Sequence, residues 1–448
     1  MSGEAARGAA VLDPPRTEPP PAVEAVIREA RRRRRRRRLA IGVVLLLFLG
    51  GVGVAFARGG GDDTTARGRD GRTSDAARTP AGGTASPRRA PRTSVAGSWA
   101  AITPTPTALQ HRFFGLGDAP VAVGAGADVF VLPSHVLGDG LGLLVARYTP
   151  ARGSWTVFAR APIVQRANAI TLWDGHELLV WGGTVNGSEG LRDGAALDPR
   201  AGRWRMIADA PVELTDESAA VWTGSEVIVW GGGHGRQGAG GYAYDPAADA
   251  WRALPGAPIT NRPYPSAVWT GSEVIVWGGC APSPPGNPGP CDAYAGTEPT
   301  DGAAYDPALD SWRRLAPSPL PPRPRPSAVW TGTEMIVWGG DVGPAPAGEV
   351  GAVYDPTADT WRPLRAAPFP SLRDVSLYWS GTALLVVGGR DGGGGSGNAA
   401  YDPRSEQWTF LPPPPFGWGG AASAWTDEGL VGIGGSTSAW RGALLPRE

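Results

Sequence analysis

Three stretches decide the fold: AVWTGSEVIVWGG at residues 220–232, AVWTGSEVIVWGG at 267–279 and AVWTGTEMIVWGG at 328–340. Looser copies are ITLWDGHELLVWGG at 170–183 and LYWSGTALLVVGG at 377–389. Each is followed by a second block, such as YAYDPAADAW ending at Trp251 or GAVYDPTADTW ending at Trp361. Self-similarity at a near-constant period marks a repeat architecture. The early Trp lies ten residues before the second Gly of each pair (Trp173/Gly183, Trp222/Gly232, Trp269/Gly279, Trp330/Gly340, Trp379/Gly389, Trp425/Gly435).

Each copy reads as four short strands. The first ends near the early Trp. A tight turn (T-G-S-E) leads to a second strand rich in β-branched and aromatic residues. Gly-Gly ends that strand, where the backbone turns or packs without side chains. The third runs into Asp-Pro, a turn signal, and the fourth begins at the closing Trp. Closing tryptophans stand at 99, 155, 204, 251, 312, 361 and 408. Residues 122–134 form a degenerate copy with Leu132 in the place of Trp277. The last copy has only its front half and the first closing Trp only a back half. Together they complete one blade, with the N-terminal segment giving its outer strand, which hides the sheet edges. The expected fold is therefore all-β: a seven-bladed propeller over residues 96–448.

This pattern resembles the kelch family of β-propellers. The resemblance rests on the double Gly, the third-strand tyrosines (Tyr244, Tyr305, Tyr354, Tyr401) and the closing Trp. Some kelch propellers are copper radical oxidases similar to galactose oxidase, and such a site needs two His, two Tyr and a Cys cross-linked to one Tyr. The four histidines here, His111, His135, His176 and His234, have no ligand spacing. No catalytic set, metal site or cofactor motif is read from the sequence. Repeat carboxylates such as Glu226, Glu273 and Glu334 fall in turns. Of the 19 tryptophans, seventeen occupy three repeat positions and read as packing between blades; Trp418 and Trp440 do not.

Upstream of the repeats the chain changes character. Arg31–Arg38 is an unbroken arginine run, followed by LAIGVVLLLFLGGVGVAFA at 39–57. Nineteen uncharged residues make about 28 Å of helix, enough for a bilayer core. The arginines predict a cytoplasmic N-terminus (1–38) and an extracytoplasmic propeller. Ala55-Phe56-Ala57 also fits a cleavage site, and a cleaved signal peptide would likewise leave the propeller outside. Residues 58–95 hold no aromatic residue and read as a flexible linker. The expected location is the cell membrane, by a single pass.

All 42 basic residues are Arg. Residues 1–38 and 58–97 carry net charges of +6 and +4, which leaves −10 on residues 98–448. An acidic propeller is a poor nucleic-acid binder. Cys280 and Cys291 flank an inserted loop and are expected to form a disulfide outside the cell. Arg166, Arg262 and Arg323 lie seven residues before the early Trp, and Arg373 six before. With His234 they are the candidate ligand-binding residues, as a positive funnel at the channel or as partners of neighbouring acids. The functional expectation is a binding module for a protein or a small polar or anionic ligand. An extracytoplasmic carbohydrate-active enzyme (epimerase, mutarotase or oxidase-like) and a structural or adhesion domain are the alternatives.

Overall fold

A computed structural model of the chain describes residues 98–446, apart from 107–119, 135–140, 186–189, 233–240, 281–298, 341–349, 370–371, 391–396, 417–420 and 437–438. The described residues belong to one compact unit, Arg88–Glu448. The basic N-terminus, the apolar segment 39–57 and the linker 58–95 lie outside them. So do His111, His135, His234 and Cys291. Among the described residues no helix is long and apolar enough to cross a membrane.

The unit is an all-β propeller; its one described helical turn is Pro150–Arg152. Seven four-stranded antiparallel sheets are present among the described residues. Sheets 1 to 6 follow chain order, their first strands being Val121–Ala125, Ile170–Trp173, Ser218–Trp222, Ser266–Trp269, Ser327–Trp330 and Arg373–Trp379. Sheet 7 has Ala422–Thr426, Gly429–Ser436 and Ala439–Pro446, and its fourth strand is Ala100–Ala101 from the start of the unit. Ala100 pairs with Leu444 and Ala101 with Ala443. The first strands of sheets 1 to 6 lie beside one another in chain order around a central channel, and that of sheet 7 returns to that of sheet 1. Between sheets 6 and 7 the Tyr378 hydroxyl donates to the Ser423 carbonyl at 2.8 Å.

Each sheet is joined to the one before it by the same device. The closing Trp donates its indole N–H to a carbonyl that follows the outer strand of the preceding sheet. The links are Trp155 to Thr103, Trp204 to Ala159, Trp251 to Ala208, Trp312 to Pro255, Trp361 to Ala316 and Trp408 to Arg365. Trp99 reaches Pro412 across 313 residues of chain. Trp99→Phe keeps a ring and removes the donor, so it is expected to lower unfolding stability by about 1 kcal/mol. Amide hydrogen exchange should speed up first in sheet 7, where the outer strand is two residues long.

The interior between sheets is apolar. Second-strand tryptophans Trp181, Trp230, Trp277 and Trp338 are fully buried. Trp181 meets Tyr244 of the next sheet edge-on at 4.8 Å, and Trp277 meets Trp361 at 5.7 Å. The repeat tryptophans thus pack between sheets. Close packing also explains the Gly that opens the following strand, since a Cβ on Gly302 would stand 2.6 Å from the Val276 carbonyl and 2.9 Å from the Trp277 indole. In the degenerate copy Gly124 stands where other copies have the early Trp. A Cβ there would lie 2.2 Å from the Trp425 carbonyl, so sheet 7 occupies that space.

One expectation needs correction. Gly-Gly ends the second strand in sheets 2 to 5, but in sheet 6 the strand runs through Gly388-Gly389 to Arg390, and in sheet 7 through Gly434-Gly435 to Ser436. Longer partners carry the pairing onward: Arg390 pairs with Arg373, and Gly435 with Trp440.

Candidate functional site

Strand direction fixes the two ends of the channel. First strands end at the early Trp, so the turns before the second strands and the Asp-Pro turns share one end. At that end a polar network repeats. Arg252 donates to both carboxylate oxygens of Glu226 at 3.0 and 2.7 Å and to the Tyr305 hydroxyl of the next sheet at 3.2 Å. Tyr305 in turn donates to Asp310 at 2.6 Å. Arg313, Glu273, Tyr354 and Asp359 repeat the arrangement. Burial first, then the hydrogen bond to the acid, pushes the Tyr305 and Tyr354 hydroxyls up to about 12. Arg252 and Arg313, each fixed by a glutamate of its own sheet, thus hold one sheet to the next. His176 sits in such a turn, its backbone N–H donating to Asp174.

The other end is where the first strands start. The arginines singled out from the sequence stand here, but not as a funnel. Arg166, Arg262 and Arg323 are 1%, 1% and 0% exposed. Arg166 binds both oxygens of Asp193 at 2.7 and 2.8 Å and the carbonyls of Val164 and Gly182, both at 3.0 Å. Arg262 pairs with Asp301 at 2.7 Å. Arg323 donates to the carbonyls of Gly339 and Val350. The reading as a positive funnel is therefore corrected for these three. Arg166 and Arg323 donate to the carbonyl of the first Gly of their own pair, and the Arg262 side chain lies against Gly279. For Arg262, whose charge burial disfavours, Asp301 opposes that effect. The Arg373 backbone opens the first strand of sheet 6; its side chain lies outside the described residues.

Two residues beyond each of these arginines the loop presents a different side chain every time: Asn168, Tyr264 and Arg325. All three adopt left-handed backbone, with φ of 57°, 56° and 52°. Such strain in non-glycine residues gathers at functional sites. In sheet 3 the same place, five residues before the early Trp, holds Glu217, preceded by Asp216. These loops touch one another. The Asp216 N–H donates to the Asn168 carbonyl at 2.8 Å, and the Tyr264 N–H to the Glu217 carbonyl at 2.6 Å. The Tyr264 hydroxyl donates to Glu217 at 3.4 Å, and the Arg325 guanidinium lies over the Tyr264 ring at 4.2 Å. The first strands that these loops lead into line a cavity of about 400 Å³, with Ala219, Ala220, Ser266, Ala267, Pro326, Ser327, Ala328, Ser376, Leu377 and Tyr378. Small residues on the first strands of sheets 3 to 6 leave this space open.

Electrostatics at this mouth are uneven. Asp216 reaches solvent, yet the protein around its carboxyl holds its pKa above the ordinary value. Burial contributes most, then the charge of Glu217, with Arg325 opposing. Tyr264 is pushed up to about 12, by burial first and then by Glu217 and Asp216. A raised carboxyl means the folded state binds a proton more readily than the unfolded one. Stability therefore falls as pH rises from the ordinary carboxylate range through the raised value. Asp216→Asn removes that loss, so its melting temperature should exceed wild type at pH 7. The gain should vanish near roughly pH 3, where the carboxyl is protonated in both states. An equal gain at both pH values would contradict this account.

The sequence reading missed Asp216, Glu217, Tyr264 and Arg325. A signal was available: Glu217, Tyr264 and Arg325 occupy one position that varies from copy to copy, and Asp216 precedes it. Cys280 lies on the same side of the propeller. It is buried and disulfide-bonded, and its N–H donates to the Pro263 carbonyl, next to Tyr264, at 2.8 Å. Among the described residues no group of three or more His, Cys, Asp or Glu is placed to hold a metal ion.

No family model matches this chain, and no curated protein matches it. Among solved structures, that of YjhT matches 66% of this chain and 98% of its own, with a TM-score of 0.49 and 15% identity.

Proposed function

We propose that this chain is a membrane-anchored, extracytoplasmic kelch-type propeller of seven blades that binds a small polar ligand at the channel mouth. The observation that carries the binding role is the cavity of about 400 Å³ on the first strands of sheets 3 to 6, strands that follow in sequence from the loops bearing Asp216, Glu217, Tyr264 and Arg325. Concave sites with a few convergent polar groups are where ligands bind. Seven sheets, with seven closing tryptophans each linked to the sheet before, support the seven-bladed reading. The arginine run beside residues 39–57 supports the anchor and its orientation. The disulfide-bonded state of Cys280, in a chain with one other cysteine, Cys291, supports their pairing and an oxidising location.

The test is the melting temperature of the full-length chain in detergent against a panel of sugars, amines, carboxylates and short peptides. Ligands of the native state raise it. At least one member should shift wild type and fail to shift Ala328→Trp, which fills the channel. Shifts that survive the plug would move the site elsewhere.

A second reading, an enzyme, is favoured by one observation: a carboxyl of raised pKa beside a second carboxylate and a tyrosine. Turnover of a bound sugar, lost in Asp216→Asn and Glu217→Gln, would establish it.

A further inference from the structure

We infer that the ligand is a small uncharged carboxamide, with the size and chemistry of a blocked dipeptide, held by main-chain groups that the first strands turn into the cavity. The inference rests on the binding role proposed for the channel and names the ligand class. Two observations carry it.

The first is the phase of the hydrogen-bond ladder. In an antiparallel pair, residues alternately exchange both backbone bonds with their partner and turn both groups away from it. The turn after each first strand fixes that phase: the Thr223 N–H donates to the Glu226 carbonyl, Thr270 to Glu273, Thr331 to Glu334 and Ser380 to Ala383. Counted back through the registers, Ala220, Ala267, Ala328 and Leu377 turn their N–H and C=O away from their own sheets. Sheet 7 keeps the same phase, for Ser423 stands at the equivalent place and its carbonyl accepts from Tyr378 of sheet 6. Ala220, Ala267, Ala328 and Leu377 all line the cavity. A main-chain N–H or C=O in such a place takes its partner from water or from a ligand. Donors and acceptors thus stand side by side on the wall, as they do in an amide.

The second is the side-chain lining. Among the described residues that line the cavity none is charged, and Ala219, Ala220, Ala267, Pro326, Ala328 and Leu377 offer only apolar side chains. The hydroxyls are engaged within the protein. Ser266 donates to the Pro326 carbonyl at 2.5 Å, Ser327 to the Val375 carbonyl at 2.9 Å and Tyr378 to the Ser423 carbonyl at 2.8 Å, while Ser376 hydrogen-bonds to the Tyr378 hydroxyl. An ion of either sign would lose its hydration here without gaining a counter-charge. That argues against the anionic ligand expected from the sequence. A polyol, with a hydroxyl on every carbon, would press polar groups onto the methyls. A carboxamide brings a donor and an acceptor together on an otherwise apolar body, which suits main-chain groups set among alanines.

The experiment titrates small molecules calorimetrically into the full-length chain in detergent at pH 7. The probe is N-acetyl-alanyl-alanine amide; N-acetyl-alanyl-alanine is its anionic counterpart and alanyl-alanine amide its cationic one. The probe should bind about tenfold or more tightly than either ion, because burial of an unpaired charge is costly. Added salt should leave its affinity unchanged. The analogue with an ester oxygen in place of the central N–H should bind about fivefold more weakly, the worth of one hydrogen bond. Ala220→Pro, Ala267→Pro and Ala328→Pro each delete an N–H that faces the cavity and spare the ladder of their own sheet. At least one of them should weaken the probe about fivefold or more. Thr171→Pro is the control, at the same place in sheet 2 but outside the cavity lining, and should leave binding unchanged. Circular dichroism checks the fold of each variant, and the ester analogue tests the same bonds on wild type alone. Either ion binding as tightly as the probe, a probe affinity that salt abolishes, or full affinity of both the ester analogue and all three cavity variants would overturn the carboxamide class. Inositol binding that Ala328→Trp abolishes, with no binding of the probe, would overturn that class alone and leave the binding role standing. Absence of any plug-sensitive ligand from the wider panel would remove both.

Discussion

Trp277→Ala is expected to destabilise the propeller by about 3–5 kcal/mol, the range for deleting a buried large aromatic side chain. The indole is 1% exposed and packs against Met335, Val337 and Tyr354 of the next sheet. Its removal opens a cavity between sheets 4 and 5. Gly302 cannot fill that space, having no side chain, and the flanking strands are held by hydrogen-bond ladders on both sides. Chemical denaturation of the full-length chain measures the loss. Leu309→Ala is the control: that side chain is 73% exposed in an Asp-Pro turn and its truncation should change stability by less than about 0.5 kcal/mol. Comparable effects of the two substitutions would mean that the tryptophans do not hold the sheets together.

Arg166→Met is expected to cost about 1–3 kcal/mol, by another route. The substitution roughly conserves length and removes the charge. It strands the Asp193 carboxylate and the Gly182 and Val164 carbonyls, which all accept from this guanidinium. The Asp193 side chain is 34% exposed, so water compensates part of its charge, and the buried carbonyls carry much of the cost. Arg166→Lys should recover only part of the loss, because an ammonium cannot bridge two carboxylate oxygens in one plane. Full stability in Arg166→Met, combined with loss of ligand binding, would reinstate the arginine as part of a funnel.

These two residues show what the sequence made legible and what it did not. The tryptophans recur at fixed spacing, and a residue required at every interface has a packing role that repetition alone reveals. The arginines recur as regularly, and repetition placed them correctly at the starts of the first strands. It could not give their environment. Arg166 and Arg323 bond to their own Gly-Gly and Arg262 lies against its own, so arginine and double glycine form one structural device. A Cβ at Gly279 would press on the Arg262 side chain at 3.0 Å. That relation is three-dimensional and leaves no mark in the spacing. The mouth residues failed to stand out for the opposite reason. Asn168, Glu217, Tyr264 and Arg325 share a position but no chemistry, so a search for regularity passes over them. The channel itself follows from alanines and serines on the first strands, whose smallness is informative only once those strands are known to face one another. The long second strands of sheets 6 and 7 were hidden because Gly-Gly signals a stop until a partner strand extends beyond it.

Ligand is expected to enter the channel between the first strands of sheets 3, 4, 5 and 6. A crystal structure of the chain with a ligand from the thermal-shift panel tests it most directly. Ligand density is expected against Ser266, Ser327 and Ala328, with a polar group at Asp216 or Glu217. Density confined to the opposite end of the channel, among the Arg252 and Glu226 pairs, or to the outer strands, would contradict it.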